Sequence, residues 1–128
     1  MKHTPEYNIE DFIAASGCPN SVIVFKNAQT GARDVFKLTS SARILGFIHN
    51  RGLEDLKFKN SKIWEKNPKP EIEIFVDAYR FASNGILGYL AFFFSKHTKK
   101  WIIKSFKQNT ESNTVLADAY QEAMKNLV

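Results

Sequence analysis

The stretch that decides the fold is EIEIFVDAYRFASNGILGYLAFFFSKHTKKWIIKSFKQ, residues 71–108. Its first part alternates, with Ile72, Ile74, Val76 and Ala78 on one face and Glu71, Glu73, Asp77 and Tyr79 mostly on the other. That period of two predicts a half-buried strand. Ala82-Ser83-Asn84-Gly85 is a turn by composition, because Asn-Gly accepts positive φ. Ile86 to Phe94 is apolar on both faces, which places it centrally in a sheet with something covering each side. SKHTKK then turns the chain and Trp101 to Lys107 returns beside it. Strands joined by such short turns run antiparallel, so the stretch reads as a three-stranded meander.

Upstream, Thr4-Pro5-Glu6 has the makings of a helix start, with Thr as N-cap and Pro at the first helical position. Ile9, Phe12 and Ile13 follow at helical spacing, and Gly17 supplies the stop. Ser21 to Lys26 is a β-branched apolar run; Asn27-Ala28-Gln29-Thr30-Gly31 resembles a turn, and Val35-Phe36-Lys37-Leu38 a second run, which together predict a β-hairpin. Thr39-Ser40-Ser41 caps a second helix with Ile44, Leu45 and Ile48 as its buried stripe. Leu53 to Pro70 is basic, poorly patterned and ends in the breaker Asn67-Pro68-Lys69-Pro70, so it reads as irregular. From Ser112 or Asn113, Leu116, Tyr120, Met124 and Leu127 mark an amphipathic terminal helix. The sum is one α+β domain over residues 1–128, a mostly antiparallel five- or six-stranded sheet with three helices packed against it.

Composition narrows the class further. An apolar fraction of 44% and eleven Phe in 128 residues exceed what a disordered chain carries. No apolar run approaches the roughly 18 residues that a membrane span needs, and the opening MKHTPEYNIEDF is polar where a secretory signal is apolar. Cys18 stands alone, which excludes an intramolecular disulfide and a multi-cysteine metal cluster and reads as a small structural residue before a turn. These features predict a cytoplasmic protein without a membrane partner.

The charge is +5 overall and unevenly spread. Lys57, Lys59, Lys62, Lys66 and Lys69 form one cluster; Lys96, Lys99, Lys100, Lys104 and Lys107 form another. Such clustering marks either a footprint for an anionic partner or a solvated surface, and Lys96 to Lys100 sit where any hairpin tip carries charge. Lys104 is more informative. Simple alternation places it between Ile102 and Phe106 on one strand face, where a lysine sits at a sheet margin, snorkels, or lines a site.

The run LAFFFSKHTKKWIIKSFKQNT, followed by a helix, resembles the C-terminal part of RelE/HigB-type bacterial toxins. The resemblance covers about the last third of the chain and places Phe106-Lys107 at the family's Phe-basic position. Gln108 and Asn109 depart from that pattern, and the proline that usually follows is missing. The resemblance implies an RNA-binding or RNA-cleaving domain that acts on RNA or at the ribosome and is held by an antitoxin protein. Metal-independent cleavage needs a base for the ribose 2′-hydroxyl, a cation for the phosphate and an acid for the leaving oxygen. Lys104, Lys107, His97, Tyr79 and Arg80 have suitable chemistry; Lys57, Lys59, Lys62, Lys66, Lys96, Lys99 and Lys100 are the candidate phosphate contacts.

Other chemistries have less to stand on. His3, His49 and His97 share no ligand-like spacing, so neither a metal nor another cofactor is expected. Glu71 and Glu73 are spaced to share a divalent ion, but nearby lysines make cross-strand pairing the simpler reading. Phe75, Phe81, Tyr89, Phe92, Phe93, Phe94, Trp101 and Phe106 concentrate in the meander. Besides a core, they suggest a non-enzymatic alternative, an aromatic-lined ligand pocket or a homodimer face.

Overall fold

The structure, a computed structural model, describes residues 2–109; the expected terminal helix lies outside them. The elements run α1 (Ile9–Ala15), β1 (Val22–Val24), α2 (Lys26–Phe36), α3 (Ser41–His49), β2 (Glu54–Ile63), β3 (Phe75–Ser83), β4 (Ile86–Ser95) and β5 (Lys100–Gln108). One five-stranded sheet has the order β1-β5-β4-β3-β2. The meander β3-β4-β5 is antiparallel as expected, β2 adds antiparallel to β3, and β1 pairs parallel with β5. The fold is α+β with a mostly antiparallel sheet.

Four local expectations are corrected. Residues from Thr4 to Asn8 are not the first helical turn: α1 starts after Asn8, whose side chain accepts from the Glu10 N–H at 2.8 Å. The second strand of the expected N-terminal hairpin is instead α2. Ala28, Gly31, Ala32 and Val35 are helix-spaced small or apolar residues, and they seat α2 against β5 so closely that a Cβ on Gly31 would lie 2.4 Å from the Phe106 carbonyl oxygen. The basic segment expected to be irregular contains β2, an edge strand whose lysines hide its alternation.

The fourth correction concerns β3, which begins at Phe75 and leaves Glu71 and Glu73 ahead of it. Both its faces are covered. Tyr79 and Phe81 join Phe12, Ile44, Ile48, Leu90, Phe92, Ile103 and Phe106 in the main core beneath the helices. Val76 lies on the opposite, outer face, in a smaller cluster with Ala91 and Phe93. Asp77, expected outside, is fully buried and accepts the backbone N–H groups of Glu6 and Tyr7 at 3.0 and 2.9 Å. That clamp is how the N-terminal segment is satisfied without being helical. No helix among the described residues is long and apolar enough to cross a membrane.

Candidate nucleic-acid interface

The outer face is built row by row from the strand register. Lys57, Arg80, Tyr89 and Lys107 form one row across β2, β3, β4 and β5. Asn60, Ala78, Ala91 and Ser105 form the neighbouring row. The register slips beside this second row on both outlying strands, between Phe58 and Asn60 on β2 and between Ile103 and Ser105 on β5. The extra residue is a lysine each time, Lys59 and Lys104. A β-bulge re-aims the inserted side chain, which is why Lys104 does not alternate with Ile102 and Phe106 as simple period-two reading requires.

Two of these cations, Lys59 and Lys107, flank one aromatic ring. The Nζ atoms of Lys59 and Lys107 lie 5.2 and 5.4 Å from the Tyr89 ring centroid, within cation–π range. The Lys59 ammonium is held below its usual range by burial and by Arg80, Lys62 and Lys107. Burial, Lys107 and Lys66 depress Lys104 in the same way. Six cations from four separate segments therefore sense one another across the face.

A shallow cavity of about 310 Å³ opens beside Tyr89. Val76, Ala78 and Ala91 form its floor, with Asn60 and Lys62 on the β2 side and Lys104 on the β5 side. Its far end is walled by Trp64, Glu65 and Lys66, which follow β2 and cross the outer face. Trp64 is held there by tilted contacts with Phe93 and Phe25, centroids 5.0 and 6.3 Å apart, and by its N–H donating to the Ile74 carbonyl at 2.8 Å.

The structure thus brings Lys57, Lys59, Lys62, Lys66, Arg80, Lys104 and Lys107 to one face. Tyr79 is only 5% exposed on the helix side, and burial with nearby Asp77 pushes its hydroxyl up to about 12. It does not reach Lys104. His97, Lys96 and Lys99 occupy the β4–β5 turn, and Lys100 pairs with Ser95 beside it. Lys107 is seven strand positions beyond Lys100, roughly 23 Å at about 3.3 Å per residue. Lys96, His97 and Lys99 are therefore an exposed group apart from the Tyr89 row, with Lys100 half-buried beside them. Asn60, Trp64, Ala78 and Ala91 were not legible as site residues, because two bulges and a crossing turn bring them together. Compared with protein-family models, curated proteins and solved structures, the chain matches none.

Proposed function

We propose that the outer sheet face binds RNA through its backbone phosphates. The observation that carries the reading is the convergence of Lys59 and Lys107 on the Tyr89 ring with Lys104 in the adjoining cavity, Lys59 and Lys104 being disfavoured as cations first by burial and then by neighbouring like charge. Such a face gains more from a polyanion than a dispersed surface of equal charge does, and Tyr89 and Trp64 supply flat apolar contacts beside it. The cleavage and antitoxin control implied by the RelE/HigB-type resemblance belong to this proposal in a narrower form. Tyr79 is inside and His97 is at the other end of the meander, so proton transfer would rest on Lys104 and Lys107, with Arg80 as a cation for the phosphate.

The test is fluorescence anisotropy of a short labelled single-stranded RNA across a KCl series. Six phosphate contacts at about 0.7 released counterions each give a log–log slope of about −4, a loss of roughly 300-fold between about 50 and 200 mM salt. Lys59→Gln with Lys107→Gln should flatten the slope by about 1.4, while Lys37→Gln with Arg43→Gln on the helix side should not. No detectable binding at about 50 mM salt, together with a dimeric mass or a copurified apolar ligand, would replace this reading with the dimer-face or pocket alternative.

A further inference from the structure

We infer that the cavity between Tyr89 and Trp64 is a blind subsite for a terminal phosphate monoester of the RNA, so that the face recognises a strand end. The inference rests on the RNA-binding reading above and follows from the shape of the outer face. Among the described residues, the row Lys57, Arg80, Tyr89 and Lys107 runs across four strands of the outer face. A chain directed along the strands over Ala78 and Ala91 meets the wall of Trp64, Glu65 and Lys66. That wall is fixed by the Phe93 and Phe25 contacts. A strand entering the cavity along this direction is therefore met by that wall.

The chemistry of the blind end suits that terminus. Lys62, Lys66 and Lys104 reach it from three separate segments, β2, the crossing turn and the β5 bulge. Glu65 is the acid on the same rim, so the lysines outnumber it three to one. An internal phosphodiester carries one negative charge, whereas a terminal monoester carries about −1.5 to −2 at neutral pH and three acceptor oxygens. Three ammonium groups converging from different sides match the second species better than the first. The floor of Val76, Ala78 and Ala91 presents small side chains, which leaves room above it for a sugar and base; the volume is at the lower end of the range for small-ligand pockets. Partial burial of Lys104 adds to the preference, because a doubly charged group offsets the cost of its buried charge more than a singly charged one does.

The experiment compares four forms of one RNA sequence on the full chain: 5′-phosphorylated, 3′-phosphorylated, hydroxyl at both ends, and circular. Binding is read by anisotropy competition at fixed salt. One of the two phosphorylated forms should bind about tenfold more tightly than the hydroxyl form, and the circular form should bind no better than the hydroxyl form. The two phosphorylated arms identify which end is taken. Lys66→Gln should erase the difference between phosphorylated and hydroxyl ends, and Ala91→Leu, which fills the floor, should do the same by an independent route. Equal affinity for all four forms with the steep salt slope intact would overturn the end-recognition inference alone. Absence of the salt slope would overturn the RNA reading itself.

Discussion

Replacing Lys104 by Met should make the protein more stable and a poorer RNA binder at once. Met keeps most of the apolar stem that packs at the cavity edge and removes the ammonium. In the folded protein that ammonium is partly buried and repelled by Lys107 and Lys66, so its charge opposes folding. Removing it should raise the urea midpoint without changing the slope of the unfolding transition. For binding, one lost phosphate contact lowers the salt slope by about 0.7, which at about 0.1 M salt is a roughly fivefold loss of affinity. Lys37→Met, on the αL cap of α2, controls for a general change of charge. Both readouts come from the same preparation, by urea denaturation followed by circular dichroism and by RNA anisotropy. A lowered midpoint would show that Lys104 is held by favourable contacts. Unchanged affinity with a raised midpoint would show that the bulge lysine is a surface accident.

Gly31→Ala sets helix propensity against packing. Ala in place of Gly favours a helix by about 1 kcal/mol, but its Cβ would meet the Phe106 carbonyl, and overpacking at a backbone contact costs about 1–3 kcal/mol; the variant should be destabilised, and a stabilised one would show that α2 sits farther from β5. The pH dependence has opposite signs for binding and for stability. RNA favours protonated Lys59 and Lys104, so affinity should fall as pH rises through their depressed values, ahead of an ordinary lysine. Over the same window the unfolded chain binds more protons, so these two lysines make stability rise with pH. Above pH 10.0, the ordinary tyrosine value, Tyr7 and Tyr79 reverse the trend, because they are held at about 12 in the fold while their unfolded counterparts ionise. A urea midpoint that declines steadily from about pH 8 to 11 would contradict the lysine assignment.

How much of this was legible in the sequence depends on whether local pattern and tertiary neighbours agreed. In β4 they did, since Ile86 to Phe94 is apolar on both faces and, from Gly88 to Phe93, is buried or half-buried on both. In Asn27 to Gly31 they did not. The residues have turn chemistry, but Ala28, Gly31 and Ala32 are also the small residues that let a helix approach a strand. The second role prevails because the small face of α2 packs on β5, where Gly31 lies against the Phe106 carbonyl, and burial there outweighs local turn chemistry. β2 escaped because an edge strand is the place where lysines and bulges break alternation.

The same physics explains why the candidate site was half visible. Lysine clusters are readable as composition, and most of those in the segment from Lys57 to Lys66, with Lys104 and Lys107, meet on the outer face. What turns a basic face into a shaped one is register. Without the slip between Ile103 and Ser105, Lys104 would alternate with its neighbours and Phe106 would lose its place in the main core beneath α2 and α3. With it, Trp101, Ile103 and Phe106 all pack inward while Lys104 projects over Ala91. Lys59 does the equivalent on β2, where Phe58 stays inward against Tyr79, ring centroids 5.5 Å apart, as Asn60 pairs with Ala78. Each bulge thus lets a strand keep its aromatic anchors in the core and still place one additional cation on the opposite face. A sheet gains little stability from charges repelling one another across a small apolar floor. Two such insertions flanking one alanine pair are therefore the feature of the sheet on which the proposal of an anion-binding face rests.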